Sequence, residues 1–357
     1  MASSPPVKTP RYIELANTFR LQIEQGILRP GDRLPSFVQI REQYGVTAAT
    51  VERIYKHLEK DNLVIREQGR GTFVKEPETL PRTGVIGIYG VTTAQHPYFV
   101  PLIDGWQSAA AKAGMELLLL HNDTPLEPGK VDGVLSCDTG FFKQHKFDLI
   151  PAGMPCVTAT INAPNYVSVI GDEYQAAYDL TQYLLQLGHR RIAYMYDPYL
   201  APRLLGYRNA MRDAGIEVQE SWLRTVAYDL TPECTYSSAS HMRMQQWLTQ
   251  DWEQLGCTAL MAHNDDTAMG VILALNEAGY SVPGQVSVTG FDGTAPGRYF
   301  SPSLTGAAMP LRDIGLAAME LLLRMMEGEV MPPSTVVLPL QLIEGASTAP
   351  PSHIASS

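Results

Sequence analysis

From Gly84 to about residue 345 the chain alternates between short, fully apolar runs and helical stretches closed by glycine. GVIGIYG is followed by the helical pattern YFVPLIDGWQSAAAKAG. Then come MELLLLHN, VDGVLSC, PCVTAT and YVSVIGD, the helix EYQAAYDLTQYLLQLG and the strand RIAYMYD. The pattern continues through LLGYRNAMRDAG, TALMAHN, DTAMGVILALNEAG and QVSVTGFD. A strand with no polar alternation buries both faces, so these runs predict parallel sheets covered by helices on either side. The stretch is too long for one doubly wound sheet and is expected to form two α/β lobes. In such sheets a ligand sits at the carboxyl ends of the strands. One link is short: only TPLEPGK separates MELLLLHND from VDGVLSC. A parallel crossover normally takes a dozen or more residues. The first lobe is therefore expected to lack one covering helix.

Ahead of this region the texture differs. EPETLPRTG, from Glu76 to Gly84, has no periodicity and reads as a linker, placed at 76–83. The formal net charge is −10, but residues 1–83 hold 13 Lys+Arg against 10 Asp+Glu, and the remainder holds 14 against 27. A small basic unit joined to a large acidic one predicts separate partners for the two. Cys137, Cys156, Cys234 and Cys257 have no Cys-x-x-Cys spacing and are expected to be reduced, buried thiols, with no metal site. No apolar run reaches membrane-spanning length, and MASSPPVKTP has no leader character. A cytoplasmic, nucleoid-associated bacterial protein with no membrane partner is expected.

In the basic unit, Ile13, Leu15, Ala16, Phe19 and Ile23 follow a helical stripe from Pro10 to Gln25. ILRPGDRLPS is a turn, and Ser36 can cap a second helix, Phe37 to Tyr44, ended by Gly45. Thr47 caps a third, running to about Asp61. LVIREQGRGTFVK then reads as two short strands around a Gly-x-Gly tip that presents Arg70. The order helix, helix, tight turn, helix, hairpin is a winged helix-turn-helix. Small residues Ala48, Ala49 and Thr50 at the start of the third helix let a backbone approach the floor of a major groove.

The segments PGDRLPS, YGVT..TV, LEKDNLV and QGRGTFV resemble, in order and spacing, the GntR-type winged-helix domain over residues 10–75. The resemblance implies that Thr47 and Thr50 contact phosphates or bases and that Arg70 and Gly71 carry the wing tip to the minor groove. With Arg33, Ser36, Ala48 and Arg53 these form the expected face for a double-stranded DNA operator. Two positions depart from the usual pattern: Val38 and Glu52 stand where arginine is common. A less usual operator is expected. LGHRRIAYM, R..GYRNAMRDAG, ALMAHNDDTAMG and VPGQVSVTGFDG resemble the effector domain of LacI/GalR-type regulators, built like periplasmic sugar-binding proteins. A GntR-type head on a LacI-type body is the architecture of the arabinose-responsive AraR-like repressors. The resemblance implies an α/β fold with an N-terminal winged helix-turn-helix (residues 1–75), a two-lobed periplasmic-binding-protein-like body of doubly wound parallel sheets (84–345) and a disordered tail (346–357). It also implies a homodimer and a small carbohydrate-like effector.

Candidate effector residues lie at strand ends. Asp292, after VSVTGF, can accept two sugar hydroxyls; its other role would be to cap the GTAP turn. Asn264 ends TALMAH and offers donor and acceptor, whereas Asp265 and Asp266 read as caps of the following helix. Arg203 is similar in place to the family's ligand arginine, with a surface salt bridge as the alternative. Tyr98 and Phe99 open a helix and can stack on a sugar ring or serve as plain core. Tyr228 is a further aromatic candidate, and Thr160 stands where the family often has an aspartate. The rival reading is a regulator with a catalytic body. The large unit has few lysines, no Gly-Lys-Thr/Ser phosphate loop and no Gly-x-Gly-x-x-Gly after a strand, which favours a sensory body with no cofactor and no catalytic residues.

Overall fold

The computed structural model describes residues 10–24, 27–75, 82–91, 96–120, 126–127, 129–137, 154–163, 165–198, 200–226 and 235–352. The N-terminal unit comprises α1 (Arg11–Glu24), α2 (Phe37–Tyr44) and α3 (Ala48–Lys60), with the antiparallel pair β1 (Val64–Glu67) and β2 (Gly71–Val74) in the register Val64↔Val74 to Glu67↔Gly71. The predicted stripe is its core. Leu15, Ala16 and Phe19 of α1 meet Ile40 of α2, Val51, Ile54, Tyr55 and Leu58 of α3, and Leu63, Val64 and Val74 of the hairpin. The unit is a winged helix-turn-helix.

Two parallel sheets follow. The first has the order β4-β3-β5-β6-β7-β13: β3 (Val85–Tyr89), β4 (Glu116–Leu119), β5 (Gly133–Ser136), β6 (Cys156–Ala159), β7 (Val167–Gly171) and β13 (Ser334–Leu338). The second has the order β9-β8-β10-β11-β12-β14: β8 (Ile192–Tyr196), β9 (Leu223–Thr225), β10 (Ala259–Ala262), β11 (Ser287–Asp292), β12 (Thr305–Ala308) and β14 (Gln341–Ile343). Every pairing is parallel except the edge pair β12–β14. Helices α4 (Phe99–Lys112) and α11 (Leu311–Met326) pack together against the first sheet. The second sheet carries α5 (Glu173–Gln186), α6 (Ala201–Asp213), α7 (Tyr236–Gln250), α8 (Trp252–Leu255), α9 (Asp265–Glu277) and α10 (Ala295–Tyr299). Strand cores such as Val134–Leu135 and Leu260–Ala262 are fully buried, as expected of sheets covered on both faces.

The chain crosses between the lobes three times, from β7 into α5, from β12 into α11 and from β13 into β14. The crossings pack on one another. A Cβ at Gly171 would lie 2.6 Å from Leu340 Cδ1 and 2.9 Å from Met309 Sδ. Such contacts leave no room for a larger side chain at Gly171. The end of the linker is tied to the first lobe. Asp132 accepts from the Thr83 N–H (2.7 Å), the Thr83 hydroxyl (2.9 Å) and the Gly84 N–H (2.8 Å), and Arg82 donates to Met326 O at 2.9 Å.

No helix lies between β4 and β5 among the described residues; Leu126 and Val131 fill that face beside Tyr89, Val134 and Cys156. Cys137, Cys156 and Cys257 are buried, Cys137 with its Sγ 3.6 Å from the Tyr89 carbonyl, and Cys234 lies outside the described residues. The expectation of a disordered tail from residue 346 needs correction: residues 346–352 are packed on the second lobe. Ser347 is fully buried; its Oγ accepts from the Thr305 N–H at 2.9 Å, and its carbonyl accepts from the Val288 N–H at 2.9 Å. The segment is held because it satisfies backbone groups that the β11–β12 ladder leaves open. No helix in the described residues is long and apolar enough to cross a membrane.

Candidate functional site

The head presents two helix starts and the hairpin. Ser36 caps α2 reciprocally with Gln39: the Ser36 N–H donates to Gln39 Oε1 at 2.7 Å, and Ser36 Oγ accepts from the Gln39 N–H at 3.4 Å. Gly45, at φ 63°, ends α2 in the left-handed conformation that glycine adopts without strain. Thr47 caps α3, accepting from the Thr50 N–H at 3.3 Å. Thr47, Ala48 and Ala49 are exposed, so the first turn of α3 is open to an approaching backbone. Arg53 is exposed one turn further on, with its guanidinium 5.9 Å from the Tyr12 ring.

The cationic hairpin divides its two arginines between different tasks. Arg70 is exposed at the tip, 5.7 Å from the Phe73 ring and ion-paired with Glu67. Arg66 turns inward, 3.0 Å from Glu52 and 3.4 Å from Glu59 of α3 and 5.2 Å from the Tyr55 ring. Glu52, unusual for the resembled domain, thus fastens the wing to α3. Arg33 lies across the wing. A Cβ on Gly71, at φ 132°, would come 2.7 Å from Arg33 Nε, so glycine is required there.

The second site lies where the strand ends of the two lobes face each other. Asp292 ends β11 with φ 99°, a conformation that costs a non-glycine residue about 1–3 kcal/mol and is held only where the surroundings enforce it. The following Gly293 is pressed against Ala308, which enforces the turn. Arg203, buried in the first turn of α6, donates to Glu173 Oε1 at 2.8 Å and to the His263 carbonyl, and lies 3.5 Å from Asp292 Oδ1. Its plane covers the Phe291 ring at 3.9 Å. Burial raises the Asp292 carboxyl well above the usual range against the opposing pull of Arg203. Asp292 Oδ1 is buried without a hydrogen-bond partner.

From the first lobe, Tyr98 reaches this cluster. Its hydroxyl bonds the Thr160 side chain, and burial, then the charges of Asp292 and Glu173, hold it protonated. His96 Nδ1 accepts from the Tyr98 N–H at 3.2 Å, leaving Nε2 to face Asp266 Oδ2 across the cleft at 3.2 Å. Phe99 stands edge-on to Tyr98 at 5.4 Å and to His96 at 6.0 Å; both rings pack on the lobe core, and the Tyr98 hydroxyl is the aromatic group that meets the cluster.

Two expectations change. Asn264, not the aspartates after it, caps α9: its Oδ1 accepts from the Thr267 N–H at 2.9 Å, and its amide N–H groups remain open to a ligand. Asp265 is structural; it takes the Thr294 N–H at 2.6 Å and the Thr294 hydroxyl at 2.8 Å, and burial pushes its carboxyl up to about 6. Tyr228 lies outside the described residues. Four neighbours were not foreseen. Asp197 stands at the end of β8 and Glu173 at the start of α5. His263 is kept neutral, its pKa lowered to about 3 by burial and Arg203. Tyr236 sits 4.9 Å ring to ring from His263. The strand-end rule that selects Asp292 also selects Asp197; Glu173 and Tyr236 come from helix starts with no separate sequence signal.

A winged head joined to two α/β lobes that face each other across a polar cluster is the arrangement of a class of protein, the ligand-responsive DNA-binding regulator. Residues 12–74 match the gntR family of bacterial regulatory proteins, and residues 181–348 match the periplasmic binding protein-like domain. The chain is 26% identical over 343 residues to the arabinose metabolism transcriptional repressor of Geobacillus stearothermophilus, spanning 89% of this chain and 92% of that one. It is 34% identical over 251 residues to the transcriptional repressor PurR of Klebsiella pneumoniae (65% and 70% of the two chains) and 31% over 231 residues to catabolite control protein A of Priestia megaterium (63% and 66%). Among solved structures, the regulator CelR in complex with cellobiose superposes with a TM-score of 0.65 at 21% identity, covering 88% of this chain and all of that one. A LacI-family sugar-binding regulator from Escherichia coli gives 0.62 at 26% identity, covering 76% of this chain and all of that one. The chain belongs to the LacI/GalR-type regulators and carries a gntR-family head; it is a DNA-binding transcriptional regulator and not an enzyme.

Proposed function

We propose that this regulator is a repressor that holds an operator duplex as a homodimer and is released by a small carbohydrate-like effector bound between the lobes. The observation that carries this reading is the buried Arg203–Glu173–Asp292 cluster facing Tyr98, a carboxylate with an open acceptor beside a flat aromatic. Arabinose repression and cellobiose binding in the relatives support a sugar. The head (1–75) reads DNA through Thr47, Ala48, Thr50 and Arg53 of α3, Arg33 and Ser36 beside it, and the wing at Arg70 and Gly71. Residues 76–83 link it to a body that extends from 84 past the packed tail segment. The effector contacts Asp292, Arg203, Tyr98 and the free amide of Asn264, with Phe99 behind Tyr98 and Tyr228 a further aromatic contact. The protein acts in the cytoplasm on chromosomal DNA.

Effector binding favours the closed lobe arrangement by its differential affinity for it. Because Asp132 grips the linker end, a first-lobe shift displaces the heads from their half-sites. A coupling of about 1–3 kcal/mol corresponds to roughly 5- to 150-fold weaker DNA binding. The test is to select a duplex from a random pool with the full chain, find sugars that raise its unfolding temperature, and measure release of the duplex by each. Sugars that bind without moving duplex affinity in either direction would remove the coupling.

A further inference from the structure

Among the described residues, carboxyl groups outnumber basic groups around the cleft. Among the described residues, Glu173, Asp197, Asp266 and Asp292 surround it from four different elements, and the charges of Asp197, Asp292 and Asp266 all raise the Tyr236 hydroxyl, whose burial raises it first. The permanent cation there, Arg203, is engaged through both of its terminal nitrogens. Its Nη2 is bonded to Glu173 at 2.8 Å, its Nη1 to the His263 carbonyl, and one face of its guanidinium is covered by Phe291 at 3.9 Å. The other basic group, His96, faces Asp266 at 3.2 Å. On the acceptor side the balance is reversed. Asp292 is 9% exposed, and its Oδ1 takes no hydrogen bond. Of the Arg203 nitrogens only the buried Nε is left without a partner, and the open acceptor at Asp292 suits a donor on the ligand.

We propose that the effector is a polyhydroxylated molecule that is uncharged or cationic, with an O–H or N–H donated to Asp292, and that the cleft rejects phosphate- or carboxylate-bearing forms of the same skeleton. This rests on the sugar reading above and narrows it. An anionic group entering the cleft gives up its hydration and meets carboxylates in a poorly screened interior, with every described cation there already paired. An amine in place of a hydroxyl keeps the donor and adds attraction. Glu173 is the gatekeeper: by occupying Arg203 it withholds the one fork that would otherwise take a phosphate or carboxylate.

The test is calorimetric titration of the full chain with glucose, arabinose, ribose and cellobiose, and with glucosamine, glucose phosphate, ribose phosphate and gluconate. The skeleton that binds is expected to bind at least about tenfold more weakly as its phosphate or acid, and comparably or more tightly as its amine. In Glu173→Gln, shown by its unfolding temperature to be folded, the penalty on the anionic form is expected to shrink by about tenfold. An anionic form that binds as tightly as its parent overturns the charge assignment but leaves the sugar reading standing, as does a Glu173→Gln variant with unchanged discrimination. Failure of every skeleton in every charge form overturns both.

Discussion

At the scale of residues, the two sites use charge in opposite ways. The head keeps Arg70 and Arg53 in solvent, where they cost little and can meet phosphate, while Arg66 is spent inside on Glu52, Glu59 and Tyr55. Sequence inspection shows two arginines in the hairpin; Arg66 lies within β1 and turns to α3, whereas Arg70 lies in the turn and stays outside. Arg70→Ala is therefore expected to weaken duplex binding by about 1–3 kcal/mol at all sequences and to lower the salt slope by about one. Salt-dependent anisotropy checks this, and an unchanged slope would take the wing out of the mechanism. In the body, His263 gives a stability test. It is buried neutral with its pKa lowered to about 3, so it binds fewer protons folded than unfolded. Its contribution is present above the unfolded value and is lost as pH falls. From about pH 7 to about pH 5 the loss is about 2 kcal/mol. In His263→Gln, which can keep the bond to Thr267 Oγ1, the difference between urea-unfolding free energies at the two pH values is expected to shrink by that amount. The strand-end rule pointed to Asp292, and the family resemblance pointed to Arg203. Glu173 escaped both because what matters is its contact with Arg203, 30 residues away in the chain, and helix periodicity carries no record of such a pair.

At the scale of elements, the caps, helices and buried strands were readable because each is written locally: Ser36 with Gln39, Thr47 with Thr50, and glycine after helices such as α2, α4 and α9. β12 was not readable; TGAA has one β-branched residue and owes its place to β11 and β14 on either side. Nor does local pattern explain why helices pair as they do. Each of the main pairs has a glycine at its closest approach. A Cβ on Gly105 of α4 would lie 2.3 Å from Arg312 O of α11. On Gly206 of α6 it would lie 2.3 Å from Tyr174 O of α5, and on Gly270 of α9 2.1 Å from Ser237 O of α7. In an isolated helix Gly206→Ala would gain about 1 kcal/mol. Here the backbone clash outweighs that gain, and a net loss of about 1–3 kcal/mol is expected, read as a lower urea midpoint. A more stable variant would mean that the α5–α6 contact is looser than described.

At the scale of the molecule, the three crossings pack together at Gly171, Met309 and Leu340, the candidate effector residues sit between the lobes, and the linker end of the head is held to the first lobe through Thr83, Gly84 and Asp132. Two lobes were expected from length and strand pattern. The packed tail was not, because Ser347 and Ala349 have no apolar signature and are held by backbone bonds. The central claim is that occupancy of the inter-lobe cleft, through Asp292, sets the affinity of a distant head for DNA. The most direct measurement is duplex affinity with and without the bound sugar, for the parent chain and for Asp292→Ala. The parent is expected to lose about 5- to 150-fold in affinity on saturation. The variant is expected to match the sugar-free parent within about twofold whether sugar is present or not, since Asp292 touches no part of the head. A folded Asp292→Ala protein that has lost DNA binding, or that still releases DNA on sugar addition as the parent does, would contradict the account.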